Sequence, residues 1–273
     1  MKHKSDFLET AIRAAKSGAD ILMESFGKIT QKDIREKQLN DFLTYVDEKA
    51  EKKIIDVIRQ TFPEHGFLAE ESGKSDALTE YQWIIDPLDG TKNYISGIPV
   101  FAISIALRAK DQIIVGVVHD PVRNEMFYAE KDQGAFLNDQ TIRINLTGEL
   151  EKSLLATGFP FRYKSVLSNY MDCFEDIFRH SSGARRMGAA ALDLAYVACG
   201  RFEGFWELGL KPWDVAAGSL IITEAGGYIS DFWDKSDYLF NSYVTATNGK
   251  IHAELLNIIK KHFPVNKSLN QDR

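Results

Sequence analysis

Several common kinds of functional motif are missing from this chain of 273 residues. Its two cysteines, Cys173 and Cys199, are too few for a disulfide scaffold or a four-cysteine metal site, and they indicate core thiols in a reducing cytoplasm. Its six histidines are scattered, which disfavours zinc. No segment approaches 18 uninterrupted apolar residues, and the first ten residues lack the apolar stretch of a signal peptide. We therefore expect no membrane span and no export signal.

The familiar phosphate and hydrolase motifs are also absent. The sequence contains no G-x-x-x-x-G-K-[ST], no G-x-G-x-x-G, no H-E-x-x-H and no G-x-S-x-G. Lysine and arginine number 33 against 39 aspartates and glutamates, which gives a net charge of −6. This balance shows none of the basic excess of a nucleic-acid-binding protein, so we expect no nucleic-acid partner. The hydrophobic content of 44% is typical of a globular protein.

Apolar periodicity predicts a mixed order of helices and strands. Residues 7–26 have helical spacing, and a second helix should follow Asp47 and end at Pro63, with Thr44 and Asp47 forming its capping box. From Phe101 onward, large apolar residues alternate with small ones through several turns, which predicts an antiparallel meander. Helices and strands alternate after the meander. The order predicts an α/β (α+β) fold.

The change of pattern near Asn145 predicts two lobes. We place an N-terminal α+β lobe at 1–145 and a C-terminal α/β lobe at 146–265. Residues 266–273 are polar and should form a flexible tail.

Three apolar segments end on acidic residues, and this is the most informative pattern in the chain. The segments are "FLAEES" with Glu70, "WIIDPLDGT" with Asp86 and Asp89, and "LKPWDVAAG" with Asp214. Each has an ordinary explanation, since Asp-Gly favours turns, Asp caps helices and adjacent glutamates are usually solvated. Gathered together, however, the carboxylates would repel one another unless a cation offset them. Mg²⁺ prefers such oxygen ligands, so the pattern leaves a set of turns and a metal site both open.

The residues after Asp89 add a candidate phosphate site. If a turn or helix begins at Gly90, its unpaired backbone N–H groups could bind an anion, and glycine permits close approach. The hydroxyl of Thr91 could orient a water molecule. A carboxylate-held metal beside backbone donors would suit a phosphate ester.

At these residues the chain resembles a known family. "AEES", "WIIDPLDGTKNY" and "PWDVAAGSLIITEAGG" resemble the inositol monophosphatase family of Mg²⁺-dependent, lithium-sensitive phosphatases, over roughly residues 5–262. The segment "RRMGAAALDLAYVACGRFEGFWELGLKPWD" is similar to the bacterial members in particular. The resemblance implies a layered α/β/α/β/α sandwich of the sugar-phosphatase type, usually a homodimer.

The resemblance also implies a role for individual residues. Glu70, Asp86 and the Leu88 carbonyl would hold one Mg²⁺, while Asp86, Asp89 and Asp214 would hold a second, with a third, weaker ion in some members. Thr91 and Asp47 would activate the attacking water, with help from Glu70. The substrate would contact Glu70, Leu88, Asp89, Gly90, Thr91, Arg185, Gly188, Ala189, Ala190, Glu207 and Asp214.

The implied activity is hydrolysis of a small polyol or sugar phosphate monoester in the cytoplasm, with myo-inositol 1-phosphate as the first expected substrate. Fructose 1,6-bisphosphatase activity, alone or in addition, is the nearest alternative. More distant branches of the family cleave 3′-phosphoadenosine phosphates, histidinol phosphate or NADP. A different class of function is protein binding, since some bacterial relatives act on the transcription machinery through protein contacts.

Overall fold

A computed structural model describes residues 4–38, 41–75, 78–161 and 163–264. The predicted tail, 266–273, lies outside these ranges. The helices are α1 Asp6–Ser25, α2 Tyr45–Thr61, α3 Thr91–Ile95, α4 Leu167–Arg179, α5 Ala190–Ala198, α6 Pro212–Glu224 and α7 His252–His262. The first ten strands are β1 Ile34–Gln38, β2 Asp41–Thr44, β3 Gly66–Ala69, β4 Gly73–Lys74, β5 Tyr81–Asp89, β6 Ala102–Ala109, β7 Gln112–Asp120, β8 Glu125–Glu130, β9 Gly134–Leu137 and β10 Gln140–Ile142. The last five are β11 Leu154–Thr157, β12 Gly183–Arg185, β13 Gly204–Leu208, β14 Tyr228–Ser230 and β15 Tyr243–Thr247.

The elements pack in five layers. Helices α1 and α2 cover one face of an eight-stranded sheet of order β10-β9-β8-β7-β6-β5-β3-β4. Helices α5 and α6 cover its other face and separate it from a five-stranded sheet of order β12-β11-β13-β15-β14. Helices α4 and α7 pack on the outer face of this second sheet. The predicted α/β/α/β/α sandwich and the predicted meander are both confirmed.

Strand alternation assigns the two faces of the large sheet to different helices. On β6, Ile103 and Ile105 join the core beneath α1 and α2, whereas Ala102 and Ala106 face α5 and α6. The small residues let the middle helices approach closely. A Cβ atom at Gly116 on β7 would lie only 2.6 Å from the Ala217 carbonyl oxygen on α6. This close contact fixes the position of α6 on the sheet.

One buried core joins the two sheets. Ile84 and Phe127 from the first sheet, and Phe205 and Val244 from the second, belong to the same cluster around α5 and α6. The chain passes from one sheet to the other between β10 and β11, on either side of the predicted boundary near Asn145. The division into lobes stays a prediction. In the part of the chain that the structure describes, no helix has the length and apolar character needed to cross a bilayer.

Strand β5 is longer than the sequence indicated. The apolar run predicts a strand that ends at Asp86, but the structure continues it through Pro87 to Asp89. Asp86 and Asp89 are three residues apart on β5, but the residues that pair with them are only two apart on β6. Strand β5 therefore carries one extra residue, a β-bulge. A bulge accommodates proline because the extra residue is not paired in the ladder.

Candidate active site

The bulge in β5 brings two of the acids to the same side of the sheet. In a regular strand, side chains three residues apart point to opposite faces. The extra residue changes this phase, so Asp86 and Asp89 both face the layer of α5 and α6. Asp86 accepts a hydrogen bond from the Leu88 amide at 2.9 Å, and Asp89 accepts one from the Ala191 amide, in the first turn of α5, at 2.7 Å. Both carboxylates are therefore fixed by backbone donors.

Helix α6 supplies the third acid. Pro212 occupies the first turn, where its missing N–H costs nothing, and Asp214 follows as the third helical residue. Its carboxylate accepts the Lys211 amide at 2.7 Å. The hydroxyl of Ser104 on β6 donates to the Trp213 carbonyl oxygen at 2.8 Å, which ties this turn to the large sheet. The sequence pattern allowed Asp214 as a helix cap, but Lys211 is the cap residue.

Thr91 and Asp47 meet at the side of the site. As predicted, Asp47 completes a capping box, in which one carboxylate oxygen accepts the Thr44 amide at 2.9 Å and the Thr44 hydroxyl at 2.6 Å. Its other oxygen lies 3.4 Å from the Thr91 hydroxyl, and this hydroxyl lies 3.1 Å from the Leu88 carbonyl oxygen. The Thr91 hydroxyl therefore has two possible acceptors.

Two glycines shape the wall of the cavity. Gly90 has a φ of +94°, and a Cβ atom there would lie 2.9 Å from the Val100 carbonyl oxygen. Gly188 has a φ of +87°, and a Cβ atom there would lie 2.3 Å from a guanidinium nitrogen of Arg186. The amide of Asn93 donates to the carbonyl oxygens of Val100 and Met187, at 2.8 and 2.9 Å, and so links the two loops.

Glu207 forms the opposite wall, on β13. It is only 9% exposed, and a Cβ atom at Gly158 would lie 2.0 Å from its carboxylate. A larger residue at 158 would force the Glu207 side chain to shift from this position. Asp193 on α5 lies beneath the same region, is 1% exposed, and has one carboxylate oxygen without a hydrogen-bond partner among the described residues.

The buried acids raise one another's affinity for protons. Burial raises the pKa of Asp86 well above its ordinary value, and the charges of Glu70 and Asp89 raise it further. The pKa of Asp89 is also raised, mainly by burial and next by the charge of Asp214. The hydrogen bond from the Ala191 amide lowers this pKa, but by less. A bound cation would favour the charged carboxylates and act against these shifts.

The acids fit a hard divalent cation. Asp86, Asp89 and Asp214 each offer one carboxylate oxygen, and these oxygens lie within 4.8 Å of one another. Glu70 lines the same cavity and is close enough for its charge to act on Asp86. Such an all-oxygen donor set matches the preference of Mg²⁺.

Most of the residues singled out from the sequence line one cavity. They are Glu70, Asp86, Leu88, Asp89, Gly90, Thr91, Gly188, Ala189, Ala190, Glu207 and Asp214. Asp47 lies behind Thr91, within hydrogen-bond distance of its hydroxyl.

The structure does not bring Arg185 to this cavity, so its contact with substrate stays a prediction. This residue ends β12 with an exposed side chain, which donates to the Ala184 carbonyl oxygen, and Arg186 lines the cavity instead. Neighbouring side chains of an extended chain point in opposite directions, so only one of the two arginines can face the cavity. The sequence also gave no sign of Lys92 and Phe161, which line the cavity and pair as cation and ring at 5.0 Å.

Comparisons with known proteins show the family to which the chain belongs. The model of the inositol monophosphatase family matches residues 3–263. The chain is 43% identical to Nus factor SuhB of Pseudomonas aeruginosa, over 94% of this chain and 97% of that protein. The crystal structure of extragenic suppressor protein suhB from Bartonella henselae matches with a TM-score of 0.91 at 38% identity, covering 94% of this chain and 99% of that one. Inositol monophosphatase from Anabaena (Nostoc) sp. matches with a TM-score of 0.84 at 38% identity, covering 93% and 95%. The chain belongs to the inositol monophosphatase family.

Proposed function

We propose that this protein is a Mg²⁺-dependent phosphatase that hydrolyses a small polyol or sugar phosphate monoester, with myo-inositol 1-phosphate as the leading substrate. The observation that carries the proposal is the convergence of Asp86, Asp89 and Asp214 to within 4.8 Å in a cavity that Thr91 also lines. The acids can hold cations, and the cations in turn can hold a phosphate group.

The ligand sets are proposed on the family resemblance, and the placement of the acids supports them. Glu70, Asp86 and the Leu88 carbonyl would hold one ion, and Asp86, Asp89 and Asp214 would hold a second; a third, weaker ion near Glu70 belongs to the same proposal. Bound Mg²⁺ would supply positive charge to the phosphate oxygens and lower the pKa of a coordinated water. Lithium sensitivity is proposed on the family resemblance.

Residues of the protein would accept the proton from the attacking water and bind the substrate. The Thr91 hydroxyl lies between the cavity and Asp47, so Asp47 can accept a proton that leaves the attacking water through Thr91. Gly90 and Thr91 would hold the phosphate group. Glu207, Gly188, Ala189 and Ala190 form the opposite side, where the buried Glu207 carboxylate would accept hydrogen bonds from polyol hydroxyls.

The assembly and location are proposed with the function. We propose a homodimer, on the family resemblance. A cytoplasmic location agrees with the free thiols of Cys173 and Cys199, whose pKa values are raised by burial.

The test is phosphate release from a substrate panel, with Mg²⁺ and with EDTA. The panel contains inositol 1-phosphate, fructose 1,6-bisphosphate, 3′-phosphoadenosine 5′-phosphate, histidinol phosphate and NADP. We expect Mg²⁺-dependent turnover, fastest with inositol 1-phosphate, and none in EDTA. A folded protein that releases phosphate from none of these substrates in Mg²⁺ would contradict the proposal.

A second candidate substrate carries two anionic groups. Arg186 and Lys92 line the cavity in addition to the acids, and Arg186 makes no ion pair with the described residues. A guanidinium in such a cavity suits a second phosphate, as in fructose 1,6-bisphosphate. Faster turnover of the bisphosphate than of inositol 1-phosphate in the panel would favour this candidate.

A binding role is the candidate from a different class. Relatives that are 43% identical carry the name Nus factor SuhB, which is not the name of a phosphatase. The two roles are separated by an Asp86→Asn variant, returned to cells that lack the protein. If hydrolysis is the role, the variant should fail to restore growth although it folds; restoration would instead support binding. The absence of a nucleic-acid partner stays a prediction from composition.

A further inference from the structure

A buried glutamate on α2 holds the turn that carries Glu70. Glu51 is 3% exposed, and each of its carboxylate oxygens accepts one backbone N–H group. One oxygen accepts the Glu71 amide at 2.8 Å, and the other accepts the Ser72 amide at 2.8 Å. Two consecutive amides of one turn therefore converge on a single side chain from another element. This glutamate belongs to none of the ligand or substrate contacts proposed above.

The two hydrogen bonds to Glu51 restrain the turn that carries Glu70. Glu70, Glu71 and Ser72 form the turn between β3 and β4, and the Glu70 amide donates to the Ile85 carbonyl oxygen on β5 at 3.1 Å. Glu70 is thus tied to β5 through its own amide and to α2 through the next two amides. The attachment to α2 adds to the restraint that the Glu70 amide and the short β4 strand give this turn.

The same helix holds the other half of the site. Asp47 and Glu51 lie four residues apart, so they occupy one face of α2 on successive turns, and both are buried. Asp47 reaches Thr91, whereas Glu51 reaches the turn after Glu70. Helix α2 therefore sets the distance between the loop that carries the proton relay and the turn that carries a metal ligand.

We propose that Glu51 is a positioning residue, which acts through the Glu70–Ser72 turn to hold Glu70 at the acid cluster. The inference rests on the proposed function, because it assumes that Glu70 holds a metal ion. Ligands are generally oriented by such outer hydrogen bonds, whose loss weakens metal binding by about 10- to 100-fold.

The experiment compares two glutamates that each accept two backbone amides of one turn. Glu51→Gln keeps the shape of the side chain, but its amide nitrogen cannot accept the second N–H group. Glu224→Gln is the matched control, because Glu224 also accepts two backbone amides of a turn, those of Asp132 and Gly134, each at 2.7 Å. It lies ten residues beyond Asp214 on α6, about 15 Å along the helix.

Calorimetric titration with Mn²⁺, in the absence of any substrate, measures the effect. We expect about 10- to 100-fold weaker Mn²⁺ binding in Glu51→Gln and unchanged binding in Glu224→Gln. Should Glu51→Gln not fold, Glu51→Asp keeps the charge and both acceptors but reaches less far, and it should also bind Mn²⁺ more weakly than the wild type.

Two results would overturn the inference alone. These are wild-type affinity in a folded Glu51 variant, and an equal loss of affinity in the Glu224 control. A wild-type protein that binds no Mn²⁺ would overturn both this inference and the proposed function.

Discussion

Replacing Asp89 with asparagine should abolish most of the activity and, at the same time, stabilise the metal-free protein. The variant removes one charge from the acid cluster but keeps a side-chain oxygen that can accept the Ala191 amide. In the wild type, the Ala191 amide nitrogen lies 2.7 Å from the Asp89 carboxylate oxygen. Loss of one electrostatic contact to the reacting group typically lowers turnover by about 10²- to 10³-fold, and loss of a metal ligand should cost at least as much. Phosphate release in saturating Mg²⁺ measures this effect.

The gain in stability follows from the raised pKa of Asp89. Burial raises this pKa in the folded protein, so the folded state binds the proton more tightly than the unfolded chain does. The stability contribution is therefore fully present below about pH 4, where the unfolded carboxyl is protonated, and it is lost as the pH rises through the raised pKa. At neutral pH without metal, this carboxyl opposes folding, because on burial it must either take up a proton or keep its charge. Asparagine removes this opposition.

Chemical denaturation in EDTA at several pH values measures the stability. We expect Asp89→Asn to be more stable than the wild type at pH 7.5, with the difference shrinking as the pH falls towards 4. Mg²⁺ should stabilise the wild type more than the variant, because a ligand stabilises the state that binds it. A variant that keeps wild-type turnover, or that is less stable than the wild type in EDTA at pH 7.5, would contradict the prediction.

Asp231 provides the matched control. It is also buried, at 1% exposed compared with 9% for Asp89. Its carboxylate is used for structure, since it accepts the amides of Trp233 and Lys235, each at 2.8 Å, and the side chain of Asn241 at 2.9 Å. Asp231→Asn should therefore destabilise the protein and leave the turnover of the folded fraction unchanged. A gain of stability in Asp89→Asn and a loss in Asp231→Asn would distinguish an acid that binds metal from an acid that maintains the fold.

The sequence predicted the fold well where periodicity and capping act locally. The capping box of Thr44 and Asp47 and the period-2 alternation of β6 depend on residues close together in the chain, and both are confirmed. The extension of β5 to Asp89 was missed because the bulge depends on pairing with β6, which is separate in sequence. A local pattern cannot show which residue a partner strand will leave unpaired.

The same distinction applies to the candidate site. The acids that end apolar segments could be identified because burial and charge conflict at those positions in the sequence itself. The sequence could not show which of Arg185 and Arg186 lines the cavity, since this depends on which face each side chain takes at the end of a three-residue edge strand. Glu51 stands in "DEKAEKKI", where it looks like any solvated helix residue. Its burial depends on a turn that is about twenty residues away in the chain.

The largest effect expected without loss of metal binding is at Asp47. In Asp47→Asn, the amide oxygen can still accept the Thr44 amide and hydroxyl, so the cap of α2 is kept. The amide nitrogen then faces Thr91 and cannot accept a proton from its hydroxyl. Loss of general-base catalysis lowers turnover by about 10²- to 10⁴-fold, and we expect this loss with nearly unchanged Mn²⁺ affinity. Glu48→Gln, which changes the next residue on the exposed side of α2, should leave turnover unchanged.

Thr91→Val tests whether the two residues act as a unit. Valine keeps the shape of threonine but removes the hydroxyl through which Asp47 reaches the cavity. If the proton passes from water through Thr91 to Asp47, the double variant should be about as slow as either single variant, because each change breaks the same path. Multiplied losses in the double variant would mean that Thr91 and Asp47 contribute separately, with Asp47 acting mainly through the position of α2. Since Asp47 and Glu51 share one helix face, the second result would make α2 a purely structural support for both loops.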